Sequence, residues 1–349
     1  MNHLLVLRFS SMGDVAMMIP SIRCLIKKYP ETKITVVSKP AFRPFFKEFK
    51  NLDFFEVNFK TKHKGLNGLF KLFKELSELN PTHIADLHSV LRTHILFLLF
   101  KLKFYKIKRI NKSRAERKKL FRKNNKIFKP LTPAQYRYSE VFNSLGFDID
   151  LSSHEFSDPF QINSQDQITL VDKSKKWIGI APFASFTGKI YPLDLMQNIV
   201  SFLQRDHQVF LFGNGEYETK KLEIWEKAFQ NVFGCYKLNS LEKEIEIISN
   251  LDLMISMDSA NGHIAANYNV PVITLWGLTH PFAGFAPFLS LSENMLVSDR
   301  EKYPLLPTSA YGKKIPKGYE SVMRTIEHKE VIVRALKALE LTKHHHSRQ

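Results

Sequence analysis

Five short stretches of the 349-residue chain carry side chains that could do chemistry. The first follows the apolar run Leu4–Phe9, where Ser10, Ser11, Met12 and Gly13 form a turn of small residues leading to Asp14. A carboxylate at the opening of a helix can cap its amides, or it can take a proton from a bound hydroxyl. Both roles are open for Asp14, and Gly13 allows an unusual backbone angle or the close approach of a ligand. A second carboxylate, Asp258, ends the apolar run Leu253–Met257 and precedes Ser259, Ala260, Asn261, Gly262 and His263. Such a turn lets the amides of a helix start meet an anion. His263 fits equally as a ligand contact and as a structural histidine. The loop after Trp177–Pro182 holds Ser185, Thr187 and Lys189, and a loop lysine is either solvated or paired with a ligand's charge. Glu216 follows Gln208–Gly213, where a carboxylate commonly accepts from ribose hydroxyls, a role compatible with a helix N-terminal acid. Arg92 closes Asp86-Leu-His-Ser-Val-Leu-Arg and suits either a ligand contact or a surface ion pair.

These loops need strands and helices to position them, and the apolar pattern supplies both. Leu4–Phe9, Lys33–Ser38, Phe54–Asn58, His83–Leu87 and Lys106–Ile110 read as strands, with helical spacing in Val15–Tyr29, Leu66–Leu79 and Val90–Lys101. The second half repeats the scheme. Its strands are Trp177–Pro182, Gln208–Gly213, Leu253–Met257 and Val270–Trp276, and its helices Leu193–Gln204, Glu216–Phe229, Leu241–Ser249 and Ala260–Tyr268. Strands alternating with such helices predict βαβ units and parallel sheets. The expected fold is α/β, with two Rossmann-like domains facing each other across a cleft. The polar stretch Asp148–Lys175 reads as the linker, which sets the domains at 1–160 and 161–349. A last helix, Lys329–Leu341, could pack back on the first domain. In open parallel sheets ligands bind beyond the carboxyl ends of the strands, where all five stretches fall.

Charge is distributed unevenly. Residues 1–150 contain 30 Lys and Arg against 12 Asp and Glu, while the remainder is close to neutral. Between Lys101 and Lys129, 14 basic residues face the one acid Glu116. Such a belt attracts polyanions: nucleic acid, anionic lipid headgroups or a phosphorylated glycolipid. No stretch has the roughly 20 apolar residues needed to span a bilayer, and no signal peptide is recognisable, which predicts a cytosolic protein. Cys24 and Cys235 lack metal-ligand spacing and read as buried thiols. With no DxD pair and no His/Cys ladder, neither a metal nor another cofactor is expected. A single glycine in the first turn argues against a dinucleotide fingerprint.

Arg8-Phe-Ser-Ser-Met-Gly-Asp-Val, with Pro20 beyond it, resembles the opening motif of the bacterial heptosyltransferases, GT-B enzymes of lipopolysaccharide core assembly. Asp258-Ser-Ala-Asn-Gly-His263, followed by Gly277-Leu-Thr279, is similar to the family's Asp-[Ser/Thr]-Gly-x-x-His and Gly-x-Thr signatures, with Ala260 in place of a glycine. The resemblance runs from Leu4 to about Leu339. It implies that Asp14 is the general base and Lys189 the neutraliser of the leaving diphosphate, with Ser185 and Thr187 as hydrogen-bond donors. It further implies that Glu216 holds the ribose and Asp258 the sugar hydroxyls, and that residues 259–262 cradle the diphosphate. Asn239 stands in the nucleobase segment where some relatives have methionine, which leaves the base open. The first half, through residues 10–13 and Arg92, would take the acceptor. The expected activity is metal-independent, inverting transfer of a sugar, heptose from ADP-heptose, to a phosphorylated inner-core glycolipid. It would take place at the cytoplasmic face beside an anionic membrane surface, without nucleic acid. The alternatives are a polyanion- or nucleic-acid-binding protein, a silent sugar-nucleotide binder and a two-Rossmann epimerase.

Overall fold

The computed structural model describes residues 2–162 and 174–346, the last five as helix backbone only. Two compact units emerge, Met1–Arg114 with Thr132–Ser157, and Ala115–Leu131 with Asp158–Gln349.

The first unit is built on β1 (His3–Leu7), β2 (Lys33–Ser38), β3 (Leu52–Glu56), β4 (His83–Asp86) and β5 (Lys106–Arg109). All neighbouring strands are parallel, in the order β3-β2-β1-β4-β5. Every side chain of β1 is buried, as expected of a central strand covered on both faces. The helical stretch predicted over Val15–Tyr29 is in fact two helices, α1 (Met12–Ala16) and α2 (Ile19–Lys28). Pro20 explains the break: it lacks an amide hydrogen and is tolerated only in the first turn, where α2 begins. Helices α3 (Gly65–Glu78) and α4 (Leu91–Leu102) pack together, the inward residues of both joining Leu5, Leu7 and Ile84 in one core.

Between β5 and α6 (Ala134–Asn143), which returns to the first unit against α2, runs a segment that belongs to the second unit. It starts with α5 (Arg114–Leu120) and is pinned by Lys126, whose Nζ donates to the carbonyls of Leu305 at 2.6 Å and Pro307 at 2.9 Å. The Arg300 guanidinium stacks 3.3 Å above the centre of the Phe128 ring. The basic belt is divided between the units: residues 101–114 lie in the first and 115–129 in the second.

The second unit carries β6 (Trp177–Ala181), β7 (Gln208–Leu211), β8 (Val232–Gly234), β9 (Leu253–Met257), β10 (Val272–Trp276) and β11 (Met295–Val297). They are again parallel, in the order β11-β10-β9-β6-β7-β8. Helices α7 (Leu193–Leu203), α8 (Glu216–Ala228), α9 (Leu241–Ser249) and α10 (Ala260–Ala266) form its crossovers. The last helix, α11 (His328–His346), packs on α7, β9 and β10 and buries Val331 and Ala335 in the core of its own unit, rather than returning to the first. Of the expected linker, Phe160 is fixed by hydrogen bonds to Ser249 and Asn250, and residues 163–173 lie outside the described residues.

In each sheet the first strand is the point where the winding reverses, since β1 lies between β2 and β4, and β6 between β7 and β9. Within each unit by itself, the loops leaving the carboxyl ends of the two strands at the reversal, β1 and β4 in the first and β6 and β9 in the second, are the place suited to ligands.

Candidate functional site

At the first reversal, the chain leaving β1 places Arg8, 4% exposed, beneath the turn that carries Asp14. Its Nη2 lies 2.5 Å from Oδ2 of Asp14, and its Nη1 donates to the Leu87 carbonyl at 2.5 Å. Asp14 is the third residue of α1, and its Oδ2 also accepts from the Ser11 amide at 3.1 Å and the Ser11 hydroxyl at 2.7 Å. The reach back to the amide before the helix is half of a capping box, so the capping role is present. All these partners converge on Oδ2, and Oδ1 has no hydrogen-bond partner among the described residues. Burial alone would push the Asp14 carboxyl up. The Arg8 cation and the Ser11 hydrogen bonds outweigh it, and its pKa lies below the ordinary value. Asp14 is therefore ionised at neutral pH, with one oxygen uncommitted.

The loop after β4 braces this turn. Oδ1 of Asp86 accepts from the amides of His88 at 2.9 Å and Ser89 at 2.8 Å, and burial raises the Asp86 pKa. Nδ1 of His88 accepts from the Phe9 amide at 3.4 Å, so the ring proton sits on Nε2, 3.3 Å from the Ser10 hydroxyl. Burial, helped by nearby Arg8, lowers the His88 pKa to about 3 and keeps the ring neutral. Ser11 is exposed, while Ser10, Met12 and Gly13 are half-buried. Gly13 lies within α1 and does not use the left-handed backbone its residue type allows, which leaves close approach as its possible use. Arg92, in the first turn of α4, has no ion pair among the described residues; its guanidinium lies 4.8 Å from the Phe59 ring centre.

At the second reversal, Lys189 ends a single 3₁₀ turn, Thr187–Lys189, after β6. Its Nζ lies 2.7 Å from Oδ2 of Asp258 and 3.2 Å from the Asp258 carbonyl, with side chains 13% and 6% exposed. Asp258 directly follows β9, and Ser259 stands at the N-cap position of α10 without a side-chain cap, its hydroxyl 3.1 Å from that of Ser256. Ala260 and Asn261 are half-buried, and Gly262 and His263 are buried. The Lys189 loop is fixed from the side of β10, because the Leu278 amide donates to the Gly188 carbonyl at 2.9 Å. Gly188 has no room for a side chain: a Cβ there would lie 2.4 Å from the Gly312 carbonyl oxygen. Ser185 and Thr187 are exposed.

Two expected donor residues stand apart from this pair. Glu216 opens α8, is 82% exposed and pairs with Lys220 at 2.7 Å, while Asn239 is exposed with a left-handed backbone. Neither hydrogen-bonds to Lys189 or Asp258. Among the described residues no group of three or more His, Cys, Asp or Glu side chains could hold a metal ion.

Sequence reasoning gave no role to Arg8, Asp86 and His88, which fix Asp14 and the turn around it. The available signal was a cation at the end of a buried apolar strand. An arginine there needs a buried partner, and Asp14 lies six residues on.

Comparison with known proteins identifies the family and the fold. The chain is 25% identical to the lipopolysaccharide core heptosyltransferase OpsX of Haemophilus influenzae, over 83% of each. A family 9 glycosyl transferase of Veillonella parvula superposes with a TM-score of 0.75 at 19% identity, covering 97% of each chain. The ADP-heptose LPS heptosyltransferase II of E. coli gives 0.69 at 15% identity, covering 98% of this chain and all of that one. Both structures share the two-sheet α/β architecture, the GT-B fold. Residues 69–314 match the family described as glycosyltransferase family 9 (heptosyltransferase). With 246 of 349 residues inside that match, this chain belongs to glycosyltransferase family 9, the heptosyltransferases.

Proposed function

We propose that this glycosyltransferase moves a heptose from ADP-heptose to a hydroxyl of a phosphorylated inner-core glycolipid, by one inverting displacement and without a metal ion. The observation that carries the reading is Asp14: ionised, anchored through Oδ2, with Oδ1 uncommitted at the reversal of the first sheet. In the reaction the acceptor oxygen forms a bond to the anomeric carbon and its proton passes to Oδ1. The bond from that carbon to the diphosphate breaks on the opposite face.

The leaving group takes both electrons of that bond, and charge grows on its terminal phosphate. Lys189 donates to the Asp258 carbonyl and lies 2.7 Å from its Oδ2 as an ion pair, and an ammonium with three N–H donors keeps one available to a phosphate oxygen. The carboxylate of Asp258 would hold sugar hydroxyls while it keeps Lys189 aligned. Amides of residues 259–262, with Ser185 and Thr187, would complete the diphosphate contacts. Glu216 would meet the ribose, Asn239 the base, and His263 would act from beneath the diphosphate turn. The acceptor would contact Ser10, Ser11, Met12, Gly13 and Arg92. The family and the relatives' names support the donor and acceptor classes. The work would take place at the cytoplasmic face, where a nucleotide sugar meets a lipid-linked acceptor.

Incubation of the protein with ADP-heptose and a Kdo–lipid A acceptor, with a chelator present, tests the reading. It predicts acceptor heavier by one heptose, carrying the anomeric configuration opposite to the donor's. Retained configuration, loss of turnover in the chelator, or turnover with a different nucleotide sugar alone would each contradict it.

A further inference from the structure

Helix α4 is apolar on two faces, and only one has a core to fill. Thr93, Leu96 and Phe100 turn inward and are fully buried. On the other side Leu91, Leu98 and Leu102 are 76%, 59% and 74% exposed. Their spacing, i, i+7 and i+11, aligns them in one stripe along the helix. The chain then turns through Phe104, which is 95% exposed and has a left-handed backbone. An apolar stripe left outside the core is a surface for a partner or for lipid.

The charge along the segment that carries this stripe has one sign. From Leu87 to Ala115 the chain has eight Lys and Arg and no Asp or Glu. Strand β5, at one edge of its sheet, presents Lys106, Lys108 and Arg109 to solvent. A groove of about 570 Å³ beside it is lined by Phe97, Tyr105 and Leu145 together with Lys101, Lys106 and Arg109. Apolar walls and basic groups suit a group that is anionic at one end and hydrocarbon at the other.

Charge decides the occupant. A second copy presenting the same surface would oppose like charges, whereas an anionic bilayer supplies both negative headgroups and an apolar interior. We propose that α4, Phe104 and the β5 edge form a docking surface for an anionic phospholipid bilayer. Leu98, Leu102 and Phe104 enter the acyl boundary, and Lys101, Lys106 and Lys108 meet headgroup phosphates. The proposal deepens, and rests on, the reading of a lipid-linked acceptor. Arg92, in the first turn of the same helix, is the acceptor candidate, so docking along α4 would bring the acceptor contact to the membrane.

Flotation of the full chain with vesicles tests it. Vesicles of phosphatidylethanolamine with a quarter phosphatidylglycerol should carry the protein, less so as salt rises, and pure phosphatidylcholine should not. The pairs Leu102→Ser with Phe104→Ser, and Lys106→Gln with Lys108→Gln, should each weaken partitioning by about tenfold or more. Both should turn over a deacylated, water-soluble acceptor at the wild-type rate. The three native tryptophans are all buried, at 7%, 4% and 1% exposure, so Phe104→Trp adds an exposed reporter whose emission should shift to the blue with anionic vesicles. Equal flotation with phosphatidylcholine, indifference to either pair, or an unshifted Phe104→Trp emission would overturn the proposal. So would self-association, or binding of random RNA, that the substitutions abolish in protein that never floats. Failure of the wild type on the deacylated acceptor would instead count against the proposed reaction, and flotation would still decide the docking.

Discussion

The Arg8 guanidinium sits 2.5 Å from Oδ2 of Asp14 and occupies the oxygen that Ser11 also binds, leaving the other without a hydrogen-bond partner among the described residues. The pairing sets the protonation of Asp14. With a folded pKa below the ordinary value, the carboxylate stays ionised to a lower pH than an ordinary aspartate does.

Replacing Arg8 with Gln removes the cation and leaves burial as the dominant influence on Asp14. The Asp14 pKa should then rise, and the acid limb of the kcat/KM profile should move to higher pH. Steady-state rates between pH 4 and 8 check this. An acid limb in the same place for both proteins would dissociate Asp14 from the titration.

Lys189→Met leaves Asp258, whose side chain is only 6% exposed, without its cation. Breaking such a pair costs about 3–5 kcal/mol. Adding Asp258→Asn removes the stranded charge and should recover most of the stability. Donor affinity should fail to recover, because the phosphate's partner is still missing. Denaturant melts and calorimetric titration with ADP separate the two effects. A double variant that binds ADP as the wild type does would remove Lys189 from the donor contact.

Gly188→Ala should act on Lys189 from behind. The new methyl would lie 2.4 Å from the Gly312 carbonyl oxygen and 2.5 Å from the Leu278 Cδ1, and the carbonyl is backbone that cannot swing aside. The loop must shift, at about 1–3 kcal/mol of stability. Donor affinity should fall about tenfold, which corresponds to about 1.4 kcal/mol. Thermal melts with and without ADP report both.

Acid should destabilise the fold through buried neutral histidines. Burial first, then neighbouring cations, lowers His88 to about 3, His154 to about 4 and His280 to about 4. In the unfolded chain each titrates near its ordinary value of 6.5. Between those values the unfolded chain binds more protons, so stability is complete above 6.5 and is lost as the pH falls toward 4. His88 alone should account for about 2–3 kcal/mol at pH 4.5. Urea midpoints across this range should fall steeply for the wild type and less steeply for His88→Gln. Parallel slopes would show that His88 is not the titrating group.

Both sheets were legible in the sequence where strands are central. The apolar runs at β1, β6 and β9 could be nothing else, being buried on both faces. Strands β8 and β11, three residues each at sheet edges, carry too short a pattern to read. The break at Pro20 was visible as a residue but missed as a boundary. The split of the basic belt was not legible, because charge along a chain does not say which unit a segment packs on. Lys126 and Phe128 are anchored by Leu305, Pro307 and Arg300, well over a hundred residues away. The identities of Asp14 and Lys189 came from their motifs. That Arg8 and Asp258 hold them came only with coordinates.

The Asp14→Asn variant, assayed side by side for ADP-heptose binding by calorimetry and for transfer by mass spectrometry, measures the central assertion. Asparagine keeps the size and an oxygen but cannot take the proton. The account predicts donor affinity within about twofold of wild type and transfer reduced by about 10²–10⁴-fold, the usual worth of a positioned base. Transfer at the wild-type rate would mean that another group removes the proton.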